Sequence, residues 1–452
     1  MGRKTAAAAA AAAAGLAAAL AGGATPAAAA TQVPCSTPAL VSAISGAASG
    51  ATLGLASGCT YVLTTGLPTV SKDLTINGHG DTLERSTATG TPSFTILIVA
   101  AGTVTLNRLS FTNGSGAITV HGSAELDVTG GTFSGNTAAE GAAIYNNGMS
   151  TVDATNVSFA DNTATADGGA MYASTGQTVL ITNCRFTGNT AAYWGGAYYD
   201  YSTSNWISDS TFRGNTATTG GAMALSAVGS DITGTVIHGN TATGGGGGIY
   251  ESDGGFPTAI ADSQITGNHA GGAGGGIDEL GNGATMPVSG TLIENNTAAD
   301  GGGISDDPGL NADYTDDTIS GNHATGDGGG VSVIGITENG VLSFTGTTIS
   351  GNRAGGDGGG IDSDTDSPPI GPQTVTFSGS YVSGNHAGAS GGGIYNTGYL
   401  GASSTQITGN QAASGGGIYD GPDATVALTD SSPTGNKPDN CEPLGSITGC
   451  TD

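Results

Sequence analysis

Apolar and polar positions recur along most of this chain with a period of about 26 residues. In each copy an apolar residue precedes an asparagine by three positions, and a glycine-rich step ending in a bulky apolar residue follows it; only Pro433 replaces the apolar residue. A fixed period of about 20–50 residues is typical of stacked repeats, so the pattern predicts a solenoid. The recurring asparagines are Asn136, Asn162, Asn189, Asn215, Asn240, Asn268, Asn296, Asn322, Asn352, Asn385, Asn410 and Asn436.

Within each copy, alternating apolar and polar residues predict short strands with one buried face. Val179 and Ile181 alternate with polar residues, and Cys184 and Phe186 repeat that spacing. The period is too short for strand–helix–strand units of about 30 or more residues. Glycine also disfavours helix by about 1 kcal/mol per residue. We therefore predict an all-β solenoid of about 14 coils and about 65 Å, with one strand per coil in each of three parallel sheets.

The asparagines themselves predict a side-chain ladder. An amide can donate to the coil on one side and accept from the coil on the other, so identical amides stacked at the coil spacing pair with one another. Buried polar groups need such partners. We therefore expect the asparagine row to be structural rather than catalytic.

The chain divides into four segments. Residues 1–30 contain Arg3, Lys4, an alanine-rich run and a small-residue site, a pattern typical of a secretory signal peptide. Residues 31–59 are predicted to form an N-terminal cap with a short helix N-capped by Thr37. Residues 60–436 form the array, and residues 437–452 a C-terminal tail. No later segment predicts a membrane span, so a secreted, extracellular protein is expected.

Five cysteines fit an exported protein, where disulfides are stable. We expect Cys35 to pair with Cys59 and Cys441 with Cys450, so that each disulfide holds one end of the array. Cys184 is expected to be a buried small side chain rather than a nucleophile. No cysteine spacing resembles a zinc site.

The net charge of −27 further restricts the partners. Removing Arg3 and Lys4 leaves −29, because no acidic residue precedes Asp73. A surface of that charge repels nucleic acid and other polyanions, so no nucleic-acid partner is expected. It can attract divalent cations, which keeps calcium as a possible ligand.

The motif [Phe/Ile]-x-x-Asn followed by Gly-Gly-[Ala/Gly] and a bulky apolar residue resembles the polymorphic outer membrane protein repeat. Examples are Phe159 to Asn162 with Gly168 to Met171, and Ile407 to Asn410. The resemblance spans about residues 60–436 and implies a right-handed parallel β-helix of the pectin-lyase-like superfamily. That superfamily includes polysaccharide lyases and hydrolases, and the repeat is associated with surface adhesins that carry a C-terminal translocator barrel. This sequence ends without a barrel-like segment.

Candidate catalytic groups are few. Polyuronate lyases of this superfamily use a basic residue and calcium, whereas only seven Lys and Arg residues follow residue 30. A hydrolase needs two carboxylates about 5–9.5 Å apart. Two adjacent acidic pairs could supply them, Asp306 with Asp307 and Asp316 with Asp317. Another pair, Asp278-Glu279, lies one coil earlier. A solvated acidic face is the favoured explanation of these residues, because acidic residues are numerous in this chain.

A loose calcium site is the metal hypothesis. Asp362, Asp364 and Asp366 alternate in an unusually long coil. An EF-hand loop would require glycine and glutamate where this chain has Ser367 and Gln373, so that motif fails.

The residue after each ladder asparagine forms an exposed row of threonines and histidines. Thr137, Thr163 and their counterparts suggest a regular threonine array of the kind that binds ice, but Arg353 and Gln411 interrupt it. His269, His323 and His386 occupy the same position in later coils.

The leading functional hypothesis is a non-catalytic, adhesin-like surface protein that binds a glycan or a cell-surface protein. Aromatic side chains around two coils could stack on sugars or anchor a protein partner. They are Tyr193, Trp194, Tyr199, Tyr201 and Trp206. The alternative is a polysaccharide hydrolase or lyase, which would require paired carboxylates and aromatics in a groove.

Overall fold

A computed structural model describes residues 29–174, 176, 178–201, 204–226, 229–252, 258–280, 286–307, 311–333, 341–364, 374–445 and 447–451. The signal peptide predicted over residues 1–30 lies almost wholly outside these residues. No helix in the described part of the chain is long and apolar enough to cross a membrane.

A strand at Thr31–Val33 and a helix at Thr37–Gly46 begin the described chain. Ser36 occupies the N-cap position, so the prediction that Thr37 is the N-cap was wrong by one residue. Leu40 and Ile44 of the helix are buried against the solenoid. The helix therefore covers apolar surface at the N-terminal end of the array.

The first coils are irregular. One strand, Leu74–Arg85, pairs with two earlier strands and is interrupted by a register shift between Asn77 and Asp81. The strands of this region are Ala51–Leu55, Thr60–Leu63, Val70–Ser71, Leu74–Arg85, Leu97–Ala101, Thr103–Thr112 and Ile118–Gly122.

Regular coils begin at Glu125, and their strands repeat in four rows. Row 1 contains Glu125–Thr129, Thr151–Thr155, Thr178–Thr182, Ser204–Ser208, Ser230–Thr233, Ala259–Ala261, Met286–Ser289, Asn311–Thr315, Val341–Thr345, Thr374–Ser378, Tyr399–Ser403 and Thr425–Thr429. Row 2 contains Thr132–Ser134, Ser158–Ala160, Arg185–Thr187, Thr211–Arg213, Val236–His238, Gln264–Thr266, Leu292–Glu294, Thr318–Ser320, Thr348–Ser350, Tyr381–Ser383 and Gln406–Thr408.

Rows 3 and 4 follow the ladder asparagine in each coil. Row 3 contains Thr137–Ala138, Thr163–Ala164, Thr190–Ala191, Thr216–Ala217, Thr241–Ala242, His269–Ala270, Thr297–Ala298, His323–Ala324, Arg353–Ala354 and His386–Ala387. Row 4 contains Ile144–Gly148, Met171–Ala173, Tyr198–Asp200, Met223–Leu225, Ile249–Ser252, Ile277–Leu280, Ile304–Asp307, Val331–Val333, Ile361–Ser363, Ile394–Asn396, Ile418–Asp420 and Cys441–Glu442.

The strands form three parallel sheets among the described residues, which confirms the predicted fold class. Rows 1 and 2 belong to one sheet of 28 strands, so the expectation of one strand per coil in every sheet fails there. A very short corner joins these rows, and left-handed residues such as Asn156 (φ 58°) turn the chain at that corner. Asparagine tolerates that conformation better than most residues.

The asparagines form a continuous chain of amides. The Asn136 Nδ2 donates to the Asn162 Oδ1 over 2.9 Å, and the same bond joins each later asparagine to the next as far as Asn436. Each Nδ2 also donates to a backbone carbonyl, as from Asn268 to Ile237 over 3.0 Å. All twelve side chains are buried. The ladder therefore satisfies polar groups that would otherwise be costly to bury.

The interior is filled by columns of side chains, with two buried residues per strand in row 1, such as Val179 and Ile181, and one in row 2. In row 2, Phe133, Phe159, Phe186 and Phe212 stack in register, with adjacent ring centroids 4.5–5.2 Å apart. Such aligned aromatic pairs add about 0.5–1.5 kcal/mol each beyond their burial. The core is therefore a set of columns parallel to the solenoid axis.

Both predicted disulfides are present. Cys35 is bonded to Cys59, with 5.7 Å between their Cα atoms, and Cys441 is bonded to Cys450, with 6.3 Å. They lie at opposite ends of the array, as expected. Cys184 is a free, buried thiol.

Candidate functional site

The most distinctive surface of the solenoid is a column of aromatic side chains on row 4. The second residue of each row 4 strand lies between inward-facing neighbours, and in three successive coils it is Tyr145, Tyr172 and Tyr199. Tyr250 occupies the same position two coils later. Together with Trp194, these four residues are called the tyrosine stripe.

The rings of the tyrosine stripe contact one another in sequence. The Tyr145 and Tyr172 centroids are 5.3 Å apart, and those of Tyr172 and Tyr199 are 5.4 Å apart. Trp194 lies 6.2 Å from Tyr199 and packs edge-on against Tyr250 at 5.2 Å. The stripe therefore runs unbroken over four coil steps, or about 19 Å at the usual strand spacing.

Trp194 bridges the one coil in which the column has no large side chain. Ala224 pairs with Tyr199 on one side and with Tyr250 on the other. The indole of Trp194, which comes from the turn before its own row 4 strand, contacts the rings on both sides of this alanine. A small residue in the column thus makes room for a larger ring from a neighbouring turn.

The phenols of the stripe are held in their neutral form. Burial, followed by the charges of the nearby carboxylates of Asp278 and Glu251, raises the pKa of Tyr250 to about 12. Burial likewise raises the pKa of Tyr172 and of Tyr199. A neutral phenol offers both an O–H donor and an apolar ring face, a combination that suits binding of polyhydroxylated ligands.

A cavity of about 310 Å³ lies at the N-terminal end of the stripe. Tyr145 and Glu140 line it, together with Thr119 from the preceding coil and Ser115. Burial, followed by the charge of Glu140, raises the pKa of Tyr145. The cavity thus combines an aromatic ring, hydroxyl groups and one carboxylate.

A second carboxylate, Asp167, lies beside the stripe one coil further on. Its Oδ1 accepts a hydrogen bond from the backbone N–H of Trp194 over 3.1 Å, and burial raises its pKa. Asp300 and Asp327 accept the same kind of bond from the next coil, over 2.9 Å and 2.6 Å. The bond made by Asp167 is therefore a recurrent feature of this turn.

The structure separates the aromatic residues singled out in the sequence. Trp194 and Tyr199 are part of the stripe, whereas Trp206 is an exposed residue of row 1, paired there with Leu180 and Asp231. Tyr193 and Tyr201 are exposed at the ends of the segments that flank row 4. The tyrosines missed from the sequence share one signal, because each follows the bulky residue of a glycine-rich step.

Two of the four acidic catalytic candidates are buried. Asp306 and Asp317 are 0% and 1% exposed. Asp316 is exposed in a left-handed turn, and the side chain of Asp307 lies outside the described part of the structure. The proposal that these carboxylates face a shared substrate therefore fails for Asp306 and Asp317, because both lie in the solenoid interior.

Asp306 belongs to an interior column of carboxyl groups. Glu251, Glu279 and Asp306 occupy equivalent inward positions in three successive row 4 strands and are at most 3% exposed. The Tyr314 hydroxyl donates to the Asp306 Oδ2 over 2.6 Å. Burial raises the pKa of Asp306, and hydrogen bonds from Glu279 and Tyr314 partly offset that effect. Burial thus favours the protonated form of Asp306.

The calcium hypothesis finds no assembled site in the described residues. Asp362 is a row 4 residue paired with Ser332 and Tyr395, and Asp364 follows that strand; Asp366 lies outside the described residues. Among the described residues, no group of three or more His, Cys, Asp or Glu side chains is arranged to hold a metal ion.

Cys184 is also unsuited to surface chemistry. Its thiol is 3% exposed, and burial raises its pKa to about 11. A buried thiol that keeps its proton is a poor nucleophile.

Comparison with known proteins agrees with the architecture. The chain matches the family model described as "Right handed beta helix region" over residues 74–226 and 143–298. The protein is a right-handed parallel β-helix. No curated protein matches its sequence.

Two solved structures resemble this β-helix at low similarity. One is tailspike protein 3 of bacteriophage CBA120, with 10% identity and a TM-score of 0.35; the match covers 90% of this chain and 59% of the tailspike. The other is PfbA, a surface adhesin of Streptococcus pneumoniae, with 13% identity, a TM-score of 0.26 and coverage of 87% of each chain. This chain therefore spans little more than half of the tailspike.

Proposed function

We propose that this β-helix is a secreted, non-catalytic, adhesin-like protein that binds a glycan along its tyrosine stripe. The signal-like segment over residues 1–30 and the two disulfides support export. The observation that carries the proposal is the unbroken aromatic column from Tyr145 to Tyr250.

The column suits a chain of sugars better than a compact partner. Pyranose rings present C–H-rich faces that pack on aromatic rings and hydroxyls that pair with neutral phenols. The partly exposed rings run along the solenoid axis from Tyr145 to Trp194, whereas Tyr250 is only 8% exposed, so a bound glycan would lie parallel to that axis on the rings before Tyr250. The cavity beside Glu140 and Thr119 would accommodate the sugar at one end.

Binding to neutral polysaccharides tests the proposal. We would measure affinity for a panel of β-glucans, xylans and bacterial neutral glycans with the wild type and with the double variant Tyr172→Ala/Tyr199→Ala. Alanine already occupies this column at position 224, so the fold should tolerate the change. We expect the double variant to bind at least about tenfold more weakly, because it loses two stacking rings.

Trp206→Ala is the matched control, because it removes an exposed aromatic ring from a different sheet. Glycan binding that the Trp206 variant loses and the tyrosine variant retains would contradict the proposed site. Absence of glycan binding together with capture of a cell-surface protein would favour a protein partner instead of a glycan.

A carbohydrate-active enzyme is the second candidate, favoured by Glu140 and Asp167. They precede the glycine step in adjacent coils, and both flank the tyrosine stripe. The raised pKa of Asp167 would suit a general acid. The same hydrogen bond at Asp300 and Asp327 supports a structural role for Asp167 instead. Release of reducing ends by the wild type but not by Glu140→Gln would establish hydrolysis and overturn the non-catalytic assignment.

We also propose that the repeats are of the polymorphic outer membrane protein type. The Asn ladder and the glycine-rich step carry that motif in coil after coil. The motif supports the relationship, and an adhesin-like role is what the relationship implies.

A further inference from the structure

A second surface, on row 3, differs from the rest of this acidic molecule. The outward residue of each row 3 strand is a threonine through the first five coils, from Thr137 to Thr241. From His269 onward five of the seven residues in the same column are basic, and Thr297 and Gln411 are the other two. The basic stripe comprises His269, His323, Arg353, His386 and Lys437.

Basic residues are scarce in this chain, which makes their alignment notable. Five of the thirteen Lys, Arg and His residues that follow residue 30 lie in this one column. The chain as a whole carries a net charge of −27. The concentration of basic residues therefore opposes the acidic overall composition rather than following from it.

The column is continuous in register. His323 pairs with Arg353, and Arg353 with His386. Parallel bridges continue from His386 through Gln411 to Lys437. At about 4.8 Å per coil, six coil steps from His269 to Lys437 place basic groups along a line of about 29 Å.

The basic side chains are exposed or half-buried, and the Nδ1 of His269 lies 2.8 Å from the Thr297 Oγ1. Within the described part of the chain, the guanidinium of Arg353 and the ammonium of Lys437 have no hydrogen-bond or ion-pair partner, and both side chains are exposed. The His323 Nδ1 lies 3.2 Å from the Arg353 carbonyl, so this nitrogen donates and leaves Nε2 for a ligand. The Nδ1 of His386 is buried and has no hydrogen-bond partner among the described residues.

We propose that the basic stripe binds a linear anionic polysaccharide with widely spaced carboxylates. The stripe is one side chain wide, so its partner must present charges along an edge. The basic groups lie mostly one or two coils apart, about 5–10 Å, whereas a nucleic acid strand carries a charge about every 3.4 Å. The stripe also lacks the large apolar anchors typical of a protein interface. Hydroxyl side chains beside it, Ser320, Ser350 and Ser383, can bond sugar hydroxyls.

The acidic residues within four sequence positions of this column, from His269 onward, are Glu294, Asp300, Asp327, Asp357 and Asp439. The carboxylates of Asp300 and Asp327 accept backbone N–H groups of the next coil. Asp439 similarly accepts from the Gly416 N–H over 3.2 Å. More distant charges are screened beyond about 8 Å at physiological ionic strength.

Threonine replacements test the stripe without altering the repeat. The quadruple variant His269→Thr/His323→Thr/Arg353→Thr/His386→Thr places threonine at these four positions, where the earlier coils already have it. Binding would be measured at pH 5.5, where histidine side chains in general carry a proton. The probes are hyaluronate, which has a carboxylate on alternate sugars, neutral dextran and single-stranded DNA. We expect hyaluronate binding by the wild type and about 10- to 30-fold weaker binding by the variant.

Arg185→Thr/Arg213→Thr is the matched control, because it removes two exposed cations from row 2. This control should bind hyaluronate as the wild type does. Equal loss by the control, tighter binding of DNA than of hyaluronate, or no hyaluronate binding by the wild type would each overturn the proposal. The tyrosine stripe is left intact in these variants, so neutral-glycan binding reports on it separately.

Discussion

At the scale of single residues, the structure depends on polar side chains that are buried but paired. Each ladder amide donates to the next coil and to a carbonyl of the previous one, as Asn268 does with Asn296 and Ile237. Asparagine is suited to this position because its short side chain carries both a donor and an acceptor. Replacing one member therefore leaves groups on both neighbouring coils without partners.

Removing one amide from the middle of the ladder should be strongly destabilising. Asn268→Ala would leave the backbone N–H and the Nδ2 of Asn240 buried without their acceptor. Each such group costs about 1–3 kcal/mol, so we expect a loss of several kcal/mol in the free energy of unfolding, measured by urea denaturation. Thr241→Ala, at the neighbouring surface position, should cost less than about 0.5 kcal/mol. Similar losses in both variants would contradict a special role for the ladder.

Asp317 should make stability depend on pH. It lies in a column of buried side chains at the corner between rows 1 and 2, where its Oδ1 accepts the Thr291 N–H. Burial raises its pKa to about 7, well above the unfolded value of about 3.9. The folded state therefore holds a proton that the unfolded state releases. The contribution of Asp317 to the free energy of unfolding consequently declines by up to about 4 kcal/mol as pH rises from 4 to 7.

Asp317→Asn keeps the acceptor and removes the ionisation. We expect this variant to be about 1–3 kcal/mol more stable than the wild type at pH 8, with a smaller difference at pH 4.5, measured by thermal and urea unfolding. Asp316→Asn, at the exposed neighbouring position, should keep most of the loss of stability between pH 4.5 and pH 8, because the Asp316 charge is the smallest of the causes acting on the pKa of Asp317. A wild-type stability that does not fall between pH 4.5 and pH 8 would show that Asp317 ionises normally.

At the scale of elements, the glycine-rich step fixes how closely adjacent coils approach. A Cβ atom added at Gly275 would lie 2.2 Å from the Gly302 carbonyl oxygen of the next coil. That neighbour is backbone and cannot rotate away. The step therefore holds row 3 and row 4 together through main-chain contact.

Gly275→Ala should disrupt the stacking of its coil. We expect a loss of about 1–3 kcal/mol or more, because the clash forces the backbone apart. Gly214→Asn is the matched control, since Gly214 has a left-handed φ of 62° with nothing near its missing Cβ and asparagine tolerates that conformation. It should lose less than about 1 kcal/mol in the same urea titration. Equal stability of the two variants would show that the close contact between coils at Gly275 does not limit the stability of the fold.

The period of the sequence predicts the elements well but predicts surface sites poorly. The ladder spacing and the alternation at Val179 and Ile181 predict coils and strands because burial imposes both patterns. Trp194 could not be positioned from the sequence, because its contact with Tyr250 depends on Ala224 lying between two tyrosines in the folded column. Likewise, the burial of Asp306 depends on which face of row 4 it occupies, and a run of adjacent acidic residues does not specify that face.

At the scale of the whole molecule, each coil contacts mainly its two neighbours, so stability is a sum of local terms. The end coils have one neighbour each and depend on additional protection. At the C-terminal end, Cys441 pairs with Ile418 in row 4 and is bonded to Cys450. The tail therefore covers the last coil.

Loss of the C-terminal disulfide should affect the end of the array selectively. Cys441→Ser/Cys450→Ser opens a short loop whose closure is worth about 2–3 kcal/mol in the chain-entropy model. We expect faster amide hydrogen exchange in the coil around Ile418 and unchanged exchange around Ile265. Uniform acceleration along the chain would instead indicate a single cooperative unit.

The amide ladder also gives the rod a direction. Every Nδ2 of the row donates toward the later coil, so the side-chain dipoles add along the axis instead of cancelling. At the trailing end, Asn436 donates to Asn440, whose Nδ2 reaches the Thr451 carbonyl over 2.7 Å. A chain of this polarity can be lengthened only by adding coils in the same orientation. Grafted repeats joined head to head would place two like-charged dipole ends against each other.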